Sequence, residues 1–485
     1  MPEAAANPKV QKIDDYRWRI PREGKMRTDG IIYADQQMME DIQRDMSLVQ
    51  VANVACLPGI VGHSLAMPDI HWGYGFPIGG VAAFNLDEGV VSPGGVGYDI
   101  NCGVQLMRSN LRKGDIQADL QKLIEAIFRN IPSGVGSRRK DLKLGPADER
   151  EVLTRGAAWA VQQGYGAEQD LAHIEDRGCI AGADPDLLSK KALERGRPEI
   201  GTLGSGNHFV EIASVAEIFD MEAARVLGLE PDGITVMIHS GSRGLGHQVC
   251  EDNLDVMLDA AQKYGIELPD RQLACAPVQS KEGKNYLAAM ACAANFAFTN
   301  RQLMGHWVRQ SFQQVLDRSA QDIGLDLIYD VCHNIAKIEE FIIDGQKRKV
   351  CVHRKGATRA FPAHHPLIPA DYRSIGQPVL IPGDMGRYSF VLLGTEKAMT
   401  DTFGSTCHGA GRVMSRHQAA KVAKGRAIIR EMEDRGILVR SPGKRTVVEE
   451  ISEAYKDVAD VVRVAHEAGI SRKVAKLTPL AVLKG

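Results

Sequence analysis

Five short segments of the 485-residue sequence place a side chain that can bind a metal ion beside glycine or asparagine. Those side chains are Asp99, Cys102, His208, His239, His333 and His408. A single histidine after a strand is more often a buried core residue than a ligand, so each segment alone is weak evidence. Together, a carboxylate, a thiolate and several imidazoles form a donor set that suits Mn²⁺, Zn²⁺ or Co²⁺. Two ions bridged by the Cys102 sulfur would suit phosphoryl chemistry, because paired ions stabilise the attacking and leaving oxygens.

The segment around His408 combines a nucleophile with a glycine-rich turn. Gly409-Ala410-Gly411 follows the histidine directly, and we expect a helix to begin at this turn and continue through Ile428. Backbone amides at the start of such a helix bind phosphate. A neutral imidazole beside that turn is suited to attack an α-phosphorus and form a covalent phosphoramidate. Four cations in or near the glycine-rich segments are candidates for phosphate contacts, or else ordinary surface cations: Arg243, Lys355, Arg412 and Arg416.

The overall composition excludes several classes of protein. With 59 Lys and Arg against 61 Asp and Glu, the formal charge of -2 gives no protein-wide positive field, but it leaves a nucleic-acid partner open. A content of 25% charged and 44% hydrophobic residues excludes a disordered tail, a collagen-like fibre or a membrane-embedded chain. Without a secretory signal or an apolar run of about 18 residues, we expect a cytoplasmic protein with no membrane partner. Nine cysteines without a CxxC pair indicate reduced thiols.

The elements that must hold these side chains follow from the apolar periodicity. Strands are predicted over 234–238 and 325–331, and each runs almost directly into a histidine. Helices are predicted over 35–50, 120–128 and 285–316. The Asp344-Gly345 turn predicts a hairpin over 341–353. Because no repeat, low-complexity tract or linker marks a domain boundary, the sequence predicts one large α+β domain.

A longer series of motifs extends across the chain. It begins with Met67-Pro68-Asp69-Ile70-His71-Trp72-Gly73-Tyr74-Gly75-Phe76-Pro77-Ile78-Gly79-Gly80, continues with Asp99 to Gly103, Gly206 to Phe209, His239 to Gly244, Cys332 to Asn334 and His408 to Arg412, and ends in Val482-Leu483-Lys484-Gly485. In these motifs and their order the sequence resembles the RtcB family of RNA-splicing ligases over nearly its whole length. The resemblance implies one catalytic domain spanning 1–485, with a mixed β-sheet core surrounded by helices. Residues 1–55 would form a peripheral helix and strands.

The resemblance also implies a two-manganese centre and GTP as the nucleotide cofactor. Cys102 would bridge the ions, with Asp99 and His208 on one ion and His239 and His333 on the other. His408 would take GMP from GTP and pass it to an RNA 3′-phosphate, after which the 5′-hydroxyl of a second RNA end would displace GMP. A 2′,3′-cyclic phosphate would first be opened. The implied contacts to the guanine nucleotide are Asn207, His208, Phe209, Val210, Glu211, His333, Asn334, Pro382, Gly383, Asp384, Met385, Ser389, His408, Gly409, Ala410, Gly411 and Lys484.

The implied substrates are broken or spliced tRNA-like RNA ends, and the small acidic protein archease is an implied activator. Asp384 departs from the family pattern, because many relatives carry Ser or Thr there. The backbone of that loop, rather than the Asp384 side chain, is therefore the expected contact. Asp69 and His71 are either catalytic acids or ligands, or parts of a hydrogen-bonded turn that supports the metal loop.

Two other functions remain open on the sequence. A two-metal phosphodiesterase or nuclease would use the same ions to activate water, although His408 beside Gly-Ala-Gly and the terminal Lys484 favour a covalent nucleotide. A non-catalytic RNA-binding or metal-storing protein would need no nucleophile. Walker-type, dinucleotide-binding, kinase-like and Lys-x-Asp-Gly signatures are absent from the sequence. A covalent guanylate on His408 would separate the ligase from both alternatives.

Overall fold

The computed structural model of the protein describes residues 7–485. Its strands are β1 (Gln11–Lys12), β2 (Arg17–Ile20), β3 (Gly30–Tyr33), β4 (Ile60–His71), β5 (Ile78–Asn85), β6 (Val90–Val91), β7 (Gly103–Arg112), β8 (Phe209–Ile218), β9 (Gly233–Ser240), β10 (Ala276–Pro277), β11 (Asp326–Cys332), β12 (Asn334–Ile343), β13 (Gln346–Lys355), β14 (Thr358–Arg359), β15 (Pro378–Ile381), β16 (Ser389–Leu393), β17 (Ser405–Thr406), β18 (Leu438–Arg440) and β19 (Arg472–Lys484). Its α-helices are α1 (Gln36–Ile42), α2 (Ser47–Val54), α3 (Lys113–Ile116), α4 (Leu120–Asn130), α5 (Pro146–Arg155), α6 (Ala157–Gln162), α7 (Lys190–Gly196), α8 (Met221–Leu227), α9 (Arg243–Lys263), α10 (Lys281–Leu316), α11 (Ala320–Ile323), α12 (Glu396–Asp401), α13 (Arg416–Val422), α14 (Ile428–Asp434), α15 (Lys444–Glu449) and α16 (Val458–Glu467).

Two large sheets carry most of these strands. The first has the order β1-β2-β3-β4-β5-β13-β12, and the second has the order β11-β7-β9-β8-β19-β16-β15. Neighbouring strands are mostly antiparallel, but β3 pairs with β4 in parallel and β18 joins β19 in parallel. Helices pack on these sheets, so the prediction of an α+β fold with mixed sheets surrounded by helices is confirmed. Residues 11–33 supply three strands of the first sheet, and the extent of a single domain stays a prediction.

The strand register brings the segments with metal-binding side chains to one edge of the second sheet. Gly103 of β7 pairs with both Ser240 of β9 and Cys332 of β11. Phe209 of β8 pairs with His239 of β9. Residues that directly precede or follow these paired positions therefore lie close together in space. The predicted strands over 234–238 and 325–331 are confirmed as parts of β9 and β11.

Helix α10 forms the centre of the helical layer. It is alanine-rich and packs against α4, α5, α6 and α9, and the predicted helix over 285–316 lies within it. Its buried residues include polar side chains, Asn295, Thr299, Asn300 and Arg301, all inaccessible to solvent. Buried polar groups need hydrogen-bond partners, so this part of α10 must contact other polar groups of the protein. Among the helices within residues 7–485, none has the length and apolar character needed to cross a membrane.

The predicted hairpin is confirmed, whereas two helix predictions need correction. Strands β12 and β13 pair up to Ile343 and Gln346, and Asp344 and Gly345 both have positive φ, as a tight hairpin turn requires. The predicted helix over 35–50 is two helices, α1 and α2. The Asp45 carboxylate accepts a hydrogen bond of 2.7 Å from the backbone N–H of Ser47, which starts α2 separately.

The helix predicted from the Gly409 turn through Ile428 begins instead at Arg416 and ends at Val422, and Ile428 begins a separate helix, α14. Gly411 has a φ of 73°, a left-handed conformation that interrupts a right-handed helix. Ser415 and Gln418 then form a capping box: the Ser415 hydroxyl accepts from the Gln418 N–H at 3.2 Å, and the Gln418 side chain accepts from the Ser415 N–H at 2.9 Å. The turn after His408 is therefore a separate backbone feature, and any anion bound there would meet loop amides rather than a helix N-terminus.

Candidate active site

The five predicted metal ligands lie together as two overlapping groups of three. One group is Cys102, His239 and His333, and the other is Asp99, Cys102 and His208. Within each group the ligand atoms lie within 4.8 Å of one another. The Cys102 Sγ lies 3.4 Å from the Nε2 of His208 and 3.3 Å from the Nε2 of His239. Because Cys102 belongs to both groups, the geometry is suited to a sulfur that bridges two ions.

Burial and hydrogen bonds prepare the imidazoles for this role. Burial, more than the neighbouring cations, lowers the pKa of His239 and His333 well below the usual value, so both rings are neutral at neutral pH. The Nδ1 of His208 lies 3.1 Å from the carbonyl of Leu203, which leaves its Nε2 directed at Asp99 and Cys102. The Nδ1 of His239 is buried without a hydrogen-bond partner in the described residues. Neutral imidazoles with one nitrogen free are good ligands for divalent ions.

The carboxylate of Asp99 remains ionised in this setting. Burial raises its pKa, but the nearby His208 and the more distant Arg243 outweigh burial and bring the pKa to about 2. The Nε2 of His208 lies 2.8 Å from Asp99 Oδ2, and the backbone N–H of Ser242 donates to Asp99 Oδ1 at 3.1 Å. Asp99 therefore presents a negative oxygen beside the Cys102 sulfur at neutral pH.

Arg301 of α10 contacts the two loops that carry the candidate metal ligands Cys102 and His239. Its guanidinium pairs with Asp330 at 2.7 Å, and both side chains are inaccessible to solvent. Its Nη1 also donates to the carbonyls of Asn101 and Ser240, at 2.8 and 2.9 Å. These two carbonyls belong to the residues next to Cys102 and His239. Arg301 thus fixes the backbone of two ligand loops while its charge is compensated by Asp330.

A second set of contacts connects the loop of Asp99 to the loop of His333. The backbone N–H of His333 donates to the carbonyl of Cys102 at 2.9 Å. The Asn334 side chain donates to the carbonyl of Asp99 at 3.0 Å and accepts from the N–H of Gly356 at 2.8 Å. The side-chain amide of Asn334 is thus already bonded to the backbone, and its predicted contact to the nucleotide stays a prediction.

His408 lies beside this cluster and is held by Asp69. The Nδ1 of His408 lies 2.6 Å from Asp69 Oδ2, which also accepts from the backbone N–H groups of His408 and Gly409 at 2.8 and 3.2 Å. The ring centroids of His408 and His333 are 4.8 Å apart. Because Nδ1 is engaged by the carboxylate, Nε2 is the nitrogen left for a substrate. An aspartate that fixes the tautomer of a catalytic histidine in this way makes the other nitrogen a better nucleophile.

Asp69 itself is completely buried, and it is absent from both groups of metal-binding side chains. Burial raises its pKa, but His408 and Lys456 outweigh that effect and hold the pKa below its usual value. His71 lies 2.8 Å from the backbone carbonyl of Asp69, and burial lowers the pKa of His71 to about 3. Of the two interpretations that the sequence left open, the geometry favours the turn that supports the site. Asp69 contacts the His408 ring, and His71 contacts the backbone of Asp69.

A cavity of about 320 Å³ opens onto these side chains. Of the predicted site residues, those that line it are Asp99, Cys102, Asn207, Phe209, Glu211, His239, His333, Asn334, Pro382, Gly383, Asp384, Met385, His408, Gly409, Ala410, Gly411 and Lys484. Val210 is not among the lining residues, because its side chain packs in the hydrophobic core on the other face of β8. Ser389 and His208 lie just behind the wall, where they contact Glu211 and Asp99 respectively. One cavity therefore joins the metal-binding groups, the candidate nucleophile and the loops predicted to hold the nucleotide.

Comparison with known proteins gives the family. The family described as tRNA-splicing ligase RtcB matches residues 50–485. The chain belongs to the RtcB family. A curated relative from Archaeoglobus fulgidus is 55% identical over 478 residues, which cover 98% of this chain and 99% of the relative. Relatives from Thermococcus kodakarensis and Methanococcus maripaludis are each 53% identical with the same coverage, and all three carry the name tRNA-splicing ligase RtcB.

One wall of the cavity in this RtcB chain is formed by β8, β19 and residues 382–385, and Glu211 lies on that wall. Burial raises the pKa of Glu211 to about 8, an effect that the Ser389 hydroxyl at 3.4 Å only partly opposes. Burial also lowers the pKa of Lys484 to about 8. At neutral pH Glu211 is therefore mostly protonated and can donate a hydrogen bond through its carboxyl group.

The side chain of Asp384 points into its own loop. Its carboxylate accepts hydrogen bonds from the Ser452 hydroxyl and, at 3.0 Å, from the backbone N–H of Gly386, and Arg387 lies 3.5 Å away. The Asp384 side chain of this RtcB chain is thus engaged by groups of its own loop and by Ser452. The carboxylate stabilises the loop, and the loop backbone remains open to a ligand.

The four candidate phosphate-binding cations differ in how far they are already paired. The Lys355 ammonium donates to the carbonyls of Tyr74, Phe76 and Gly94, and burial lowers its pKa to about 7. Arg412 contacts Glu450 at 3.0 Å. Arg243 and Arg416 have only longer contacts, to Thr202 Oγ1 at 3.3 Å and to Glu450 at 3.6 Å. Lys355, Arg412 and Arg416 line the cavity and Arg243 does not, so Arg416 is the better candidate for a phosphate contact in this RtcB chain.

Sequence reasoning missed Arg301 and Glu450. Arg301 is the arginine in a stretch of α10 that is otherwise apolar or uncharged, and a charge at such a position is a usable signal of a buried ion pair. Glu450 contacts Arg412, Arg416 and Lys484 and is 1% exposed. It stands outside every quoted motif, so no pattern in the sequence singled it out.

Proposed function

We propose that this RtcB-family chain is an RNA ligase that joins a 3′-phosphate or 2′,3′-cyclic phosphate RNA end to a 5′-hydroxyl end, in tRNA splicing or RNA repair. GTP would be the nucleotide cofactor, and two Mn²⁺ ions the metal cofactor. The family membership and the names of the relatives support the ligase activity. The observation that carries the mechanism is His408, held through Nδ1 by buried Asp69 beside two groups of metal-binding side chains.

The residues present fit a pair of divalent ions. Asp99, Cys102 and His208 would hold one ion, and Cys102, His239 and His333 the other. The mixture of thiolate, imidazole and carboxylate donors suits a borderline divalent ion such as manganese. Burial raises the pKa of the free Cys102 thiol well above its usual value, so the thiolate needs a cation beside it. When bound, such ions would offset negative charge on the reacting phosphates.

His408 and Asp69 would carry the two steps that activate the RNA 3′-phosphate. The Nε2 of His408 attacks the α-phosphorus of GTP, a nitrogen–phosphorus bond forms, and pyrophosphate leaves with the electrons of the broken phosphorus–oxygen bond. Asp69 keeps the proton on Nδ1, so Nε2 offers a lone pair, and it stabilises the positive charge that develops on the ring. An oxygen of the RNA 3′-phosphate then attacks the guanylate phosphorus and releases His408.

The last step joins the RNA ends. The 5′-hydroxyl attacks the activated 3′-phosphate, a phosphodiester forms, and GMP leaves. A cyclic phosphate must first be opened by water to give the 3′-phosphate. Arg416, which lines the cavity and has only a long contact of 3.6 Å to Glu450, would bind a phosphate of these substrates. The protonated carboxyl of Glu211 and the ammonium of Lys484 would contact the guanine edge.

The covalent guanylate tests this proposal. The protein is incubated with Mn²⁺ and GTP, with and without archease, and its intact mass is measured. We expect a mass increase of one guanylate in the wild type and in His63→Ala, an exposed histidine of β4, and none in His408→Ala. A phosphodiesterase or a binding protein would form no adduct. A wild-type protein that remains unmodified in both conditions, or a His408→Ala variant that is modified, would contradict the mechanism.

A further inference from the structure

A group of aromatic side chains lies at the cavity on the side of Asp99. Tyr74 and Tyr98 both line the cavity, are partly exposed, and meet edge to face with ring centroids 5.5 Å apart. His247 lies against Tyr98 with a centroid distance of 4.8 Å and an interplanar angle of 32°. We call Tyr74, Tyr98 and His247 the aromatic rim.

Hydrogen bonds hold the backbone of the aromatic rim at Tyr74. Tyr74 stands between Gly73 and Gly75, and Gly75 has a φ of 71°. The Lys355 ammonium binds the carbonyl of Tyr74 together with two other carbonyls, and the N–H of Gly75 donates to the Gln272 side chain at 2.9 Å. A platform that is already ordered loses little conformational entropy when a ligand stacks on it.

The position of the aromatic rim identifies its ligand. Tyr98 directly precedes Asp99, so its Cα lies about 3.8 Å from the Cα of a candidate metal ligand. Glu211 and Lys484 belong to a different wall, formed by β8, β19 and residues 382–385. If the guanine nucleotide binds along the wall of Glu211 and Lys484, the aromatic rim lies on another side of the reacting phosphate. That side is then free to bind RNA. Aromatic faces beside a phosphate site are the usual means of holding single-stranded bases.

We propose that the aromatic rim stacks the terminal base of one of the two RNA ends that are joined. This inference rests on the proposed ligase function and extends it, because it assigns a base-binding surface to residues with no role in the chemistry. Stacking uses the face of the base, which all bases share, so the surface selects an unpaired terminal nucleotide rather than a sequence. Stacking depends on the aromatic ring and not on the hydroxyl, so Phe can replace Tyr98 whereas Leu cannot.

An abasic nucleotide tests the surface. Ligation is measured with RNA that carries an abasic site either at the 3′-terminal nucleotide of the 3′-phosphate strand or at the 5′-terminal nucleotide of the 5′-hydroxyl strand. In the wild type and in Tyr98→Phe we expect one of these changes to lower kcat/KM about tenfold. In Tyr98→Leu the same change should matter less than about twofold, because the stacking partner is already gone. Tyr264→Leu, an exposed tyrosine outside the cavity, should keep the full abasic effect.

For each variant, kcat/KM with abasic RNA is compared with kcat/KM with intact RNA, so a general loss of rate cancels. A binding measurement keeps the inference independent of ligation: 2-aminopurine at the terminal position should lose fluorescence on binding to the wild type and to Tyr98→Phe, and much less with Tyr98→Leu. The strand that shows the effect identifies which RNA end is stacked. The proposal is overturned if, on both strands, the abasic change has the same effect in the wild type, Tyr98→Leu and Tyr74→Leu. If the wild type joins no RNA yet quenches 2-aminopurine, the ligase proposal fails and the surface remains.

Discussion

At the scale of single residues, the most informative contact is the one between Asp69 and His408. A carboxylate 2.6 Å from Nδ1 favours a proton on Nδ1 and leaves Nε2 as the proposed nucleophile. The same oxygen also accepts the backbone N–H groups of His408 and Gly409, so one carboxylate positions both the ring and its turn. This contact connects residues 339 positions apart in the sequence.

Replacing Asp69 by Asn should slow formation of the guanylate adduct by about 100-fold, the size expected when a catalytic group loses its orientation and tautomer. An amide can occupy the same space, but its NH₂ group favours the wrong tautomer of His408. The rate is measured by intact mass at times shorter than one turnover. Asp371→Asn, at an exposed carboxylate that contacts His173, serves as the control and should keep the wild-type rate. An Asp69→Asn variant as fast as wild type would show that Asp69 does not orient the ring.

Glu211 makes the stability of the protein depend on pH. Its pKa is raised by burial from 4.5 to about 8, so between these values the folded protein holds a proton that the unfolded chain releases. The contribution of Glu211 to the free energy of unfolding must therefore fall as the pH rises from about 4.5 to about 8. Glu211→Gln is neutral at every pH and lacks this contribution. Urea unfolding at pH 5 and pH 7.5 should show the variant gaining stability relative to wild type at the higher pH. An unchanged difference at the two pH values would rule out a buried, protonated Glu211.

At the scale of elements, the site depends on helix α10 as much as on the strands that carry the ligands. The strands bring their ends to one edge of the second sheet, but their terminal loops need a separate support. Arg301 supplies it through the carbonyls of Asn101 and Ser240, while Asp330 of β11 compensates its charge. The contact also explains a charged residue in the buried part of an alanine-rich helix.

Replacing Arg301 by Met should lower the free energy of unfolding by about 3–5 kcal/mol, because the variant leaves Asp330 buried without a partner. Arg155→Met, which breaks an exposed pair with Glu151 on α5, should cost less than about 1 kcal/mol. Both values come from urea unfolding. The double variant Arg301→Met with Asp330→Leu should recover much of the stability but not the metal, because the two carbonyls stay unsupported. Full metal content in that double variant would refute the proposed support.

At the scale of the whole molecule, the candidate site draws on both large sheets. Asp69 ends up at the site through β4 of the first sheet, whereas the five candidate metal ligands adjoin the second. The ligands extend from Asp99 to His333, and His408 lies further along the chain. Separation of these segments on unfolding must abolish the site, so ligand binding and folding are linked.

Mn²⁺ should therefore raise the thermal midpoint of unfolding. At a concentration 100-fold above its dissociation constant, an ion that binds only the folded protein adds about 2.7 kcal/mol to the free energy of unfolding. Cys102→Ser should lose this shift, because Cys102 belongs to both groups of ligands. Cys179→Ser, at a partly buried cysteine outside both groups, should retain it. Thermal unfolding of each variant is recorded with Mn²⁺ and with a chelator. A shift of the midpoint in Cys102→Ser equal to that of the wild type would exclude the bridging role.

The sequence by itself determined the local elements and the inventory of chemical groups. Apolar runs predicted β9 and β11, the Asp344-Gly345 turn predicted the hairpin, and the motifs supplied the donors and His408. Local backbone preferences and side-chain periodicity fix these features within a few residues, so they can be recognised without the rest of the chain. The break between α1 and α2 is accompanied by a hydrogen bond from the Ser47 N–H to the Asp45 carboxylate, which apolar periodicity does not reveal.

Only the tertiary structure decided how those groups act. It placed Asp69 against His408 and outside both groups of metal-binding side chains. It also turned the Asp384 carboxylate into its own loop and left Arg243 and Arg416 less engaged than Lys355 and Arg412. The pairing of Arg301 with Asp330, the raised pKa of Glu211 and the aromatic rim likewise arise from contacts between distant segments. Burial and charge compensation are properties of a three-dimensional environment, and they exist only once the sheets and α10 have brought those segments together.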